Sequence, residues 1–159
     1  MSPRTDFIRQ TILADHAASM SIFQRFTPEQ WEQPAPSDEG ALWKARDVLA
    51  HLAVSESGQL GQLTRSVKGE VTLPDDFDLT RFNRRSVQKQ AGKPVTDLLQ
   101  DIETAHAQVL ATLDAVSDAD LDKTGRHASG QMFSVETFFR YITQHRLRHA
   151  EELQRFLGA

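Results

Sequence analysis

Four long segments of this chain repeat their apolar residues at the spacing of an α-helix, and none alternates as a convincing strand would. Each segment has one apolar face to bury, and helices packed on helices can cover such faces. The segments run from about Thr5 to Phe26, from about Lys44 to Lys68, from near Val95 to near Val116, and from after Ser134 to Gly158. This pattern predicts an all-α fold, a four-helix bundle.

The connection between the second and third helices is unusual in its length. Residues 69–94 are punctuated by glycines, prolines and aspartates, and the stretch is too long for a simple bundle turn. Its middle, Leu79 to Gln90, could form a short helix that carries Arg81, Arg84 and Arg85. A long crossover of this kind would allow helices two and three to run parallel.

Two shorter helices are predicted from their N-terminal caps. Thr27 can cap a helix that has Pro28 at its first position and Gln30 completing a capping box. Ser117 can cap another helix, which Gly125 is expected to end.

Length and composition narrow the class of protein. A chain of 159 residues suits one domain, 1–159, and the absence of cysteine excludes disulfides, thiolate metal sites and a cysteine nucleophile. The net charge of -4 argues against binding nucleic acid through phosphate neutralisation. No apolar run is long enough to span a membrane, and no secretory signal is visible. We therefore expect a soluble cytoplasmic protein with neither a nucleic-acid nor a membrane partner.

The most distinctive polar feature is a pair of histidines within an apolar helix face. His145 and His149 are four residues apart, so they stack one turn apart inside the stripe of the fourth helix. Burying two imidazoles is costly unless their nitrogens are satisfied, and a divalent cation can accept both lone pairs. Two solvated or hydrogen-bonded histidines are the simpler alternative, so the spacing alone favours a metal site only weakly.

Helical periodicity does not select a third ligand. With a rise of about 1.5 Å per residue, His16, His51 and His106 could each lie in the same layer of the bundle as the pair. His106 and His16 fall on inner faces and His51 on a flank, so phase alone ranks His106 first. Either inner histidine could instead be a hydrogen-bonded core residue or a partner of the ligands. His127 lies in a polar stretch and is expected at the surface.

Two motifs carry a resemblance to a known family. The segment from Trp43 to Ala53, WKARDVLAHLA, resembles the Trp-x-x-x-Asp-Val-Leu-x-His-Leu signature of the DinB/YfiT-like four-helix-bundle metalloproteins. The segment from Gln144 to Leu153, QHRLRHAEEL, resembles the family's C-terminal His-x-x-x-His helix. Phe82 and Asn83 after an acidic loop also match a family feature, and the similarity extends over essentially the whole chain.

The resemblance implies a specific ligand set. It places a divalent metal on His51, His145 and His149, which overrides the preference for His106 that periodicity gives. It also implies a long connection between helices two and three, and a homodimer. Because family members include metal-dependent thiol transferases, isomerases and proteins of unknown activity, membership implies a metal site more firmly than a reaction.

Three kinds of function remain open. The first is a metal-dependent thiol transferase or hydrolase acting on a small molecule such as a low-molecular-weight thiol, since three imidazoles leave a coordination position for water or substrate. The second is a non-catalytic bundle that sequesters a small molecule or a metal, and the third is an interaction protein with incidental histidines. Zinc, nickel or iron would suit such ligands. Glu56 and Glu152 are candidate bases or ligand partners, although ordinary salt bridges are the simpler interpretation.

Several other residues have two interpretations each. Trp43 is expected to be a structural anchor rather than a substrate platform, and Asn83 could cap a helix or donate into the pocket. The arginines at 81, 84 and 85 could bind an anionic cosubstrate, but a solvated helix face is the simpler interpretation. Leu60 and Phe139 lie off the main apolar stripes, which suggests partners outside the bundle and hence self-association.

Overall fold

The computed structural model describes residues 1–37, 40 and 42–159. The described chain is mainly helical, with four long helices and three short ones. The helices are α1 Pro3–Phe23, α2 Pro28–Trp31, α3 Ala45–Lys68, α4 Leu79–Lys89, α5 Val95–Ala115, α6 Asp118–Leu121 and α7 Val135–Leu157. The four bundle helices are α1, α3, α5 and α7, as the apolar periodicity predicts.

Most helix ends follow from local capping chemistry. Thr27 and Gln30 form the expected capping box of α2, with Pro28 as its first residue. Ser134 caps α7 by accepting a hydrogen bond from the Thr137 N–H. At the other end of α7, Gly158 adopts a left-handed conformation with φ of 66°, which a glycine reaches without steric cost.

Contacts between the helices define their directions. Near the N-termini of α1 and α7, Arg4 pairs with Glu136, and farther along the same two helices His16 contacts Arg146. Helices α1 and α7 therefore run parallel.

Helix α3 runs antiparallel to α7 but parallel to α5. Leu52, early in α3, packs in one apolar cluster with Ile102 of α5 and with Leu153 near the end of α7. Leu63, late in α3, packs in a second cluster with Leu113 near the end of α5. The connection through α4 is thus the crossover predicted from its length, and the bundle runs up, down, down, up.

Two apolar clusters among the described residues make up the core, one toward each end of the bundle. Between them, buried polar groups cross the interior: Glu56 and Arg146 are fully buried, and His106 is 7% exposed. Phe139, expected off the stripe, is also fully buried, whereas Phe156, expected on it, is 57% exposed. The argument for self-association from Phe139 is therefore wrong, and Leu60 also packs against the core.

Two short antiparallel hairpins correct the expectation that the chain has no strands. Strands β1 Pro34–Ala35 and β2 Trp43–Lys44 pair in front of α3, and β3 Thr124–Arg126 and β4 Met132–Ser134 pair in front of α7. Gly125 lies within β3, where an added Cβ would overlap Ser66 Oγ and come within 2.8 Å of Thr72 Cγ2. Strands of two or three residues are too short for an alternating pattern to reveal them.

None of the helices described, α1 to α7, is long and apolar enough to cross a membrane.

Candidate metal centre

Helices α3 and α7 bring three histidines together inside the bundle. His51 lies two turns into α3, and the antiparallel packing places it opposite His145 and His149 on α7. The three are 7%, 8% and 4% exposed. Their ring centroids lie 5.4 Å apart for His51 and His145, 5.7 Å for His51 and His149, and 4.7 Å for His145 and His149.

The ring nitrogens of this triad converge on one point. One nitrogen from each ring lies within 4.8 Å of the others, and the Nε2 atoms of His145 and His149 are 3.2 Å apart. Burial lowers the pKa of His145 well below 6.5, and neighbouring His149 and His51 lower it further. Neutral imidazoles are the form that ligates a metal, so the group could hold a divalent ion.

Side chains around the triad orient its rings. His149 Nδ1 lies 3.2 Å from Glu152 Oε2, the carboxylate–histidine arrangement that fixes a metal-ligating ring. Tyr141 stacks on His145 at 5.5 Å, and Trp43 lies 5.5 Å from the His51 ring. Glu152 therefore contacts and can orient the His149 ring, and Trp43 packs against the His51 ring as a structural residue.

A cavity of about 480 Å³ opens beside the triad. Its wall includes His51 and His145 and combines aromatic, amide and cationic side chains. The other lining residues are Ser55, Gly58, Gln59, Gln62, Arg65, Leu73, Phe77, Leu79, Thr80, Phe82, Asn83, His127, Ala128, Ser129, Tyr141 and Arg148. A space of this size and composition suits a small molecule.

The described lining of this cavity contains no carboxylate. Asn83 is buried and lines the cavity, while Asp78 caps α4, so Asn83 contributes to the pocket rather than to the cap. Arg81, Arg84 and Arg85 are exposed, as a solvated helix face would be. A protein carboxylate base is therefore missing from this part of the site, and Glu56 does not supply one.

His127 is buried, which makes the surface interpretation wrong. It is 4% exposed, stacks on Phe133 at 4.3 Å and lies 4.8 Å from Tyr141. Burial lowers its pKa to about 4. The Ser129 N–H donates to His127 Nδ1 at 3.1 Å, so a neutral ring carries its proton on Nε2, which lies 3.4 Å from Gln59 Oε1. The β3–β4 hairpin holds this ring in the cavity wall, and the polar sequence around it gave no such signal.

His16 and His106 form a separate stack. Their rings lie 3.6 Å apart and are nearly parallel. Among the described residues, neither belongs to the group of converging histidines. Arg146 Nη1 donates to His16 Nδ1 at 2.6 Å, and His16 Nε2 lies 3.0 Å from Glu103 Oε2. Burial is the main cause that lowers the pKa of each ring to about 4. Helical periodicity favours His106 as the third member of the group. The structure instead places His51 beside His145 and His149, and stacks His106 on His16.

A fully buried ion pair lies beside this stack. Arg146 Nε and Glu56 Oε1 are 2.9 Å apart. Burial raises the pKa of the Glu56 carboxyl to about 7, against the opposing effect of the Arg146 guanidinium. The sequence predicts a salt bridge for Glu56 but does not identify its partner. Arg146 follows Ile142 by four residues and so falls on the apolar face of α7, which was the available signal.

This fold and the triad define a helical-bundle protein with a potential histidine metal site. A family model described as the DinB superfamily matches residues 12–153. The chain belongs to the DinB superfamily.

Solved structures share the fold at low sequence identity. YfiT from Bacillus subtilis, described as a probable metal-dependent hydrolase with an unusual four-helix bundle topology, is 21% identical with a TM-score of 0.74, covering 99% of this chain and 90% of its own. The colibactin self-resistance protein ClbS, solved with double-stranded DNA, is 12% identical with a TM-score of 0.77, covering 100% and 99%. An uncharacterised protein from Clostridium difficile 630 is 14% identical with a TM-score of 0.75, covering 98% and 96%. No curated protein matches significantly.

Proposed function

We propose that this chain is a metal-dependent enzyme of the thiol transferase or hydrolase type, with His51, His145 and His149 as ligands of a divalent metal. The observation that carries the proposal is the convergence of three buried imidazoles at the edge of a cavity sized for a small molecule. The description of YfiT as a probable metal-dependent hydrolase supports it through membership of the same fold group.

Such a metal would supply Lewis acidity, lowering the pKa of a water molecule or thiol that then serves as nucleophile. The protein contributes neutral ligands and a wall that limits water, formed in part by Phe77, Phe82 and Tyr141. On the same wall, the His127 Nε2–H faces Gln59 Oε1 at 3.4 Å. Zinc, nickel and iron all accept three imidazoles, so the ligands support any of these metals.

The composition of the cavity wall supports a small molecule as the proposed partner. Arg148 and Arg65 in its lining favour a substrate that carries anionic or acceptor groups, such as a low-molecular-weight thiol with a carboxylate. The ClbS complex motivates a direct DNA-binding measurement, although the net charge of -4 disfavours that partner.

Elemental analysis of protein purified without a polyhistidine tag tests the metal, and a panel of thiols, electrophiles and esters tests the reaction. We expect about one divalent ion per chain and turnover of at least one pair of reactants, abolished in His145→Ala. Untagged protein that takes up no zinc, nickel or iron would refute the proposal.

The absence of a carboxylate among the described residues that line the cavity supports a second candidate, a non-catalytic protein that sequesters a small molecule or a metal. The two candidates differ in turnover. Metal-dependent binding of a thiol or electrophile at micromolar concentration, with no product in prolonged incubation, would favour sequestration.

A further inference from the structure

A polar layer crosses the bundle between its two apolar clusters. It consists of His16 from α1, Glu56 from α3, Glu103 and His106 from α5, and Arg146 from α7, so every bundle helix contributes. On each helix the layer is flanked by residues of both clusters. On α7, for example, Ile142 belongs to one cluster and Ala150 to the other.

Arg146 is the hub of this layer and is fully buried. Its Nε lies 2.9 Å from Glu56 Oε1 and its Nη1 donates to His16 Nδ1 at 2.6 Å. His16 in turn contacts Glu103 at 3.0 Å and stacks on His106. One side chain thereby links α7 directly to α3 and α1, and through His16 to α5.

The layer and the triad occupy the same level of the bundle. Arg146 lies between His145 and His149 in the sequence, and Glu56 follows His51 by little more than one turn of α3. The triad takes its ligands from α3 and α7, the two helices that the ion pair joins. If α3 slid along α7, His51 would move away from His145 and His149, and the ion pair would break at the same time.

Energetics distinguish the layer from ordinary core packing. Taking two charges out of water costs several kcal/mol per ion. Replacing a buried ion pair by well-packed apolar residues often leaves a protein as stable as before, or makes it more stable. A buried polar contact can instead specify one helix register, because shifted registers leave its groups unpaired.

We propose that the Glu56–Arg146 ion pair and the layer it anchors set the register of α3 against α7, and thereby the geometry of the histidine triad. Glu56 and Arg146 are positioning residues: neither is among the described residues that line the cavity. The proposal rests on the proposed function, which assigns a metal to the triad. Its test measures the affinity and coordination geometry of that metal rather than turnover.

The test is a double variant, Glu56→Leu with Arg146→Met, compared with the wild-type chain by zinc affinity, by the visible spectrum of bound Co²⁺ and by melting temperature in chelator. We expect the metal-free melting temperature to be retained or raised, zinc affinity to fall at least about tenfold, as for other residues that orient ligands, and the Co²⁺ spectrum to change. Thr143→Val is the matched control on α7, because it removes the two hydrogen bonds of the Thr143 hydroxyl, to Asp15 of α1 at 3.2 Å and to the Arg140 carbonyl oxygen at 3.5 Å, and leaves the Glu56–Arg146 ion pair in place. It should leave both metal readouts unchanged.

Wild-type zinc affinity and an unchanged Co²⁺ spectrum in the double variant would overturn the positioning role. If that variant does not fold, Glu56→Gln carries the test: it keeps the shape and removes the charge, and a wild-type Co²⁺ spectrum there overturns the proposal equally. Wild-type protein that binds neither zinc nor Co²⁺ would instead refute the proposed function, before any variant is compared.

Discussion

At the scale of single residues, the three triad imidazoles should be individually necessary for metal binding. Alanine at His51, His145 or His149 leaves two protein ligands, and water is a poor replacement for an imidazole. We expect each variant to lose more affinity than the roughly 10–100-fold typical of residues that only orient a ligand. Competition with a chromophoric zinc chelator gives the dissociation constants.

The matched controls are His16→Ala and His106→Ala. Because their rings stack on each other outside the triad, we expect metal to be retained, with at most that roughly 10–100-fold loss. Abolished binding in His106→Ala together with wild-type affinity in His51→Ala would contradict the ligand set.

His127→Ala should destabilise the fold, contrary to what its polar sequence surroundings suggest. The ring packs against Phe133 and Tyr141 in the cavity wall, so truncation removes these contacts and should cost about 2 kcal/mol of stability. Urea unfolding measures the change. Met132→Ala is the control on the same hairpin: it is 65% exposed and should change stability by less than about 0.5 kcal/mol. Equal effects of the two substitutions would show that His127 contributes no packing.

The sequence predicts some site residues better than others for a physical reason. His145 and His149 share a face by helical geometry alone, whereas His51 could be chosen only through its motif, since phase favours His106. The role of Arg146 depends on which helix packs against it. Helical phase places Arg146 on the apolar face of α7, four residues after Ile142, and Arg148 on the opposite face, but the pairing of Arg146 with Glu56 is visible only in the tertiary structure.

At the scale of elements, the close contact between β3 and α3 depends on Gly125, which has no side chain. Gly125→Ala would place a Cβ against Ser66 Oγ, and overpacking of this kind costs about 1–3 kcal/mol. Gly58→Ala is the comparison: its Cβ meets nothing within 4 Å, and alanine favours the interior of α3 by up to about 1 kcal/mol. Thermal unfolding should give opposite signs for the two variants. A stabilised Gly125→Ala would disprove the close approach.

Helices were predictable here because they carry signals along their whole length. The caps at Thr27, Ser117 and Ser134 and the stop at Gly158 place ends within a few residues. Strands of two or three residues are too short to carry such a signal, and their pairing partners lie several residues away in the sequence. The hairpins therefore became visible only in the structure.

At the scale of the whole molecule, metal-free protein should lose stability as the pH falls from about 6.5 to about 4. Folding lowers the pKa of His16, His106 and His127 to about 4 from 6.5, so the unfolded chain binds more protons in this window. Glu56 acts in the opposite direction, because folding raises its pKa to about 7 from 4.5. The three imidazoles together change the proton uptake on unfolding by more than the one carboxyl does, so stability falls with pH.

The measurement is the melting temperature in chelator across this pH range. Glu56→Gln removes the opposing group and should steepen the decline. A melting temperature that rises on acidification would contradict these pKa directions.

Self-association remains a prediction that comes from the family resemblance alone, because Phe139 is buried. We expect sedimentation at micromolar concentration to show a dimer. A single species of about 18 kDa, the monomer mass, would rule out a stable dimer.

The topology also determines when the candidate metal centre can exist. His51 is separated from His145 by residues 52–144, and the up, down, down, up path leaves α7 to close the bundle last. During synthesis from the N-terminus, α3 emerges long before α7, so a nascent chain carries one of the three triad imidazoles and lacks the other two. Metal uptake would thus report that α7 has been made and has docked.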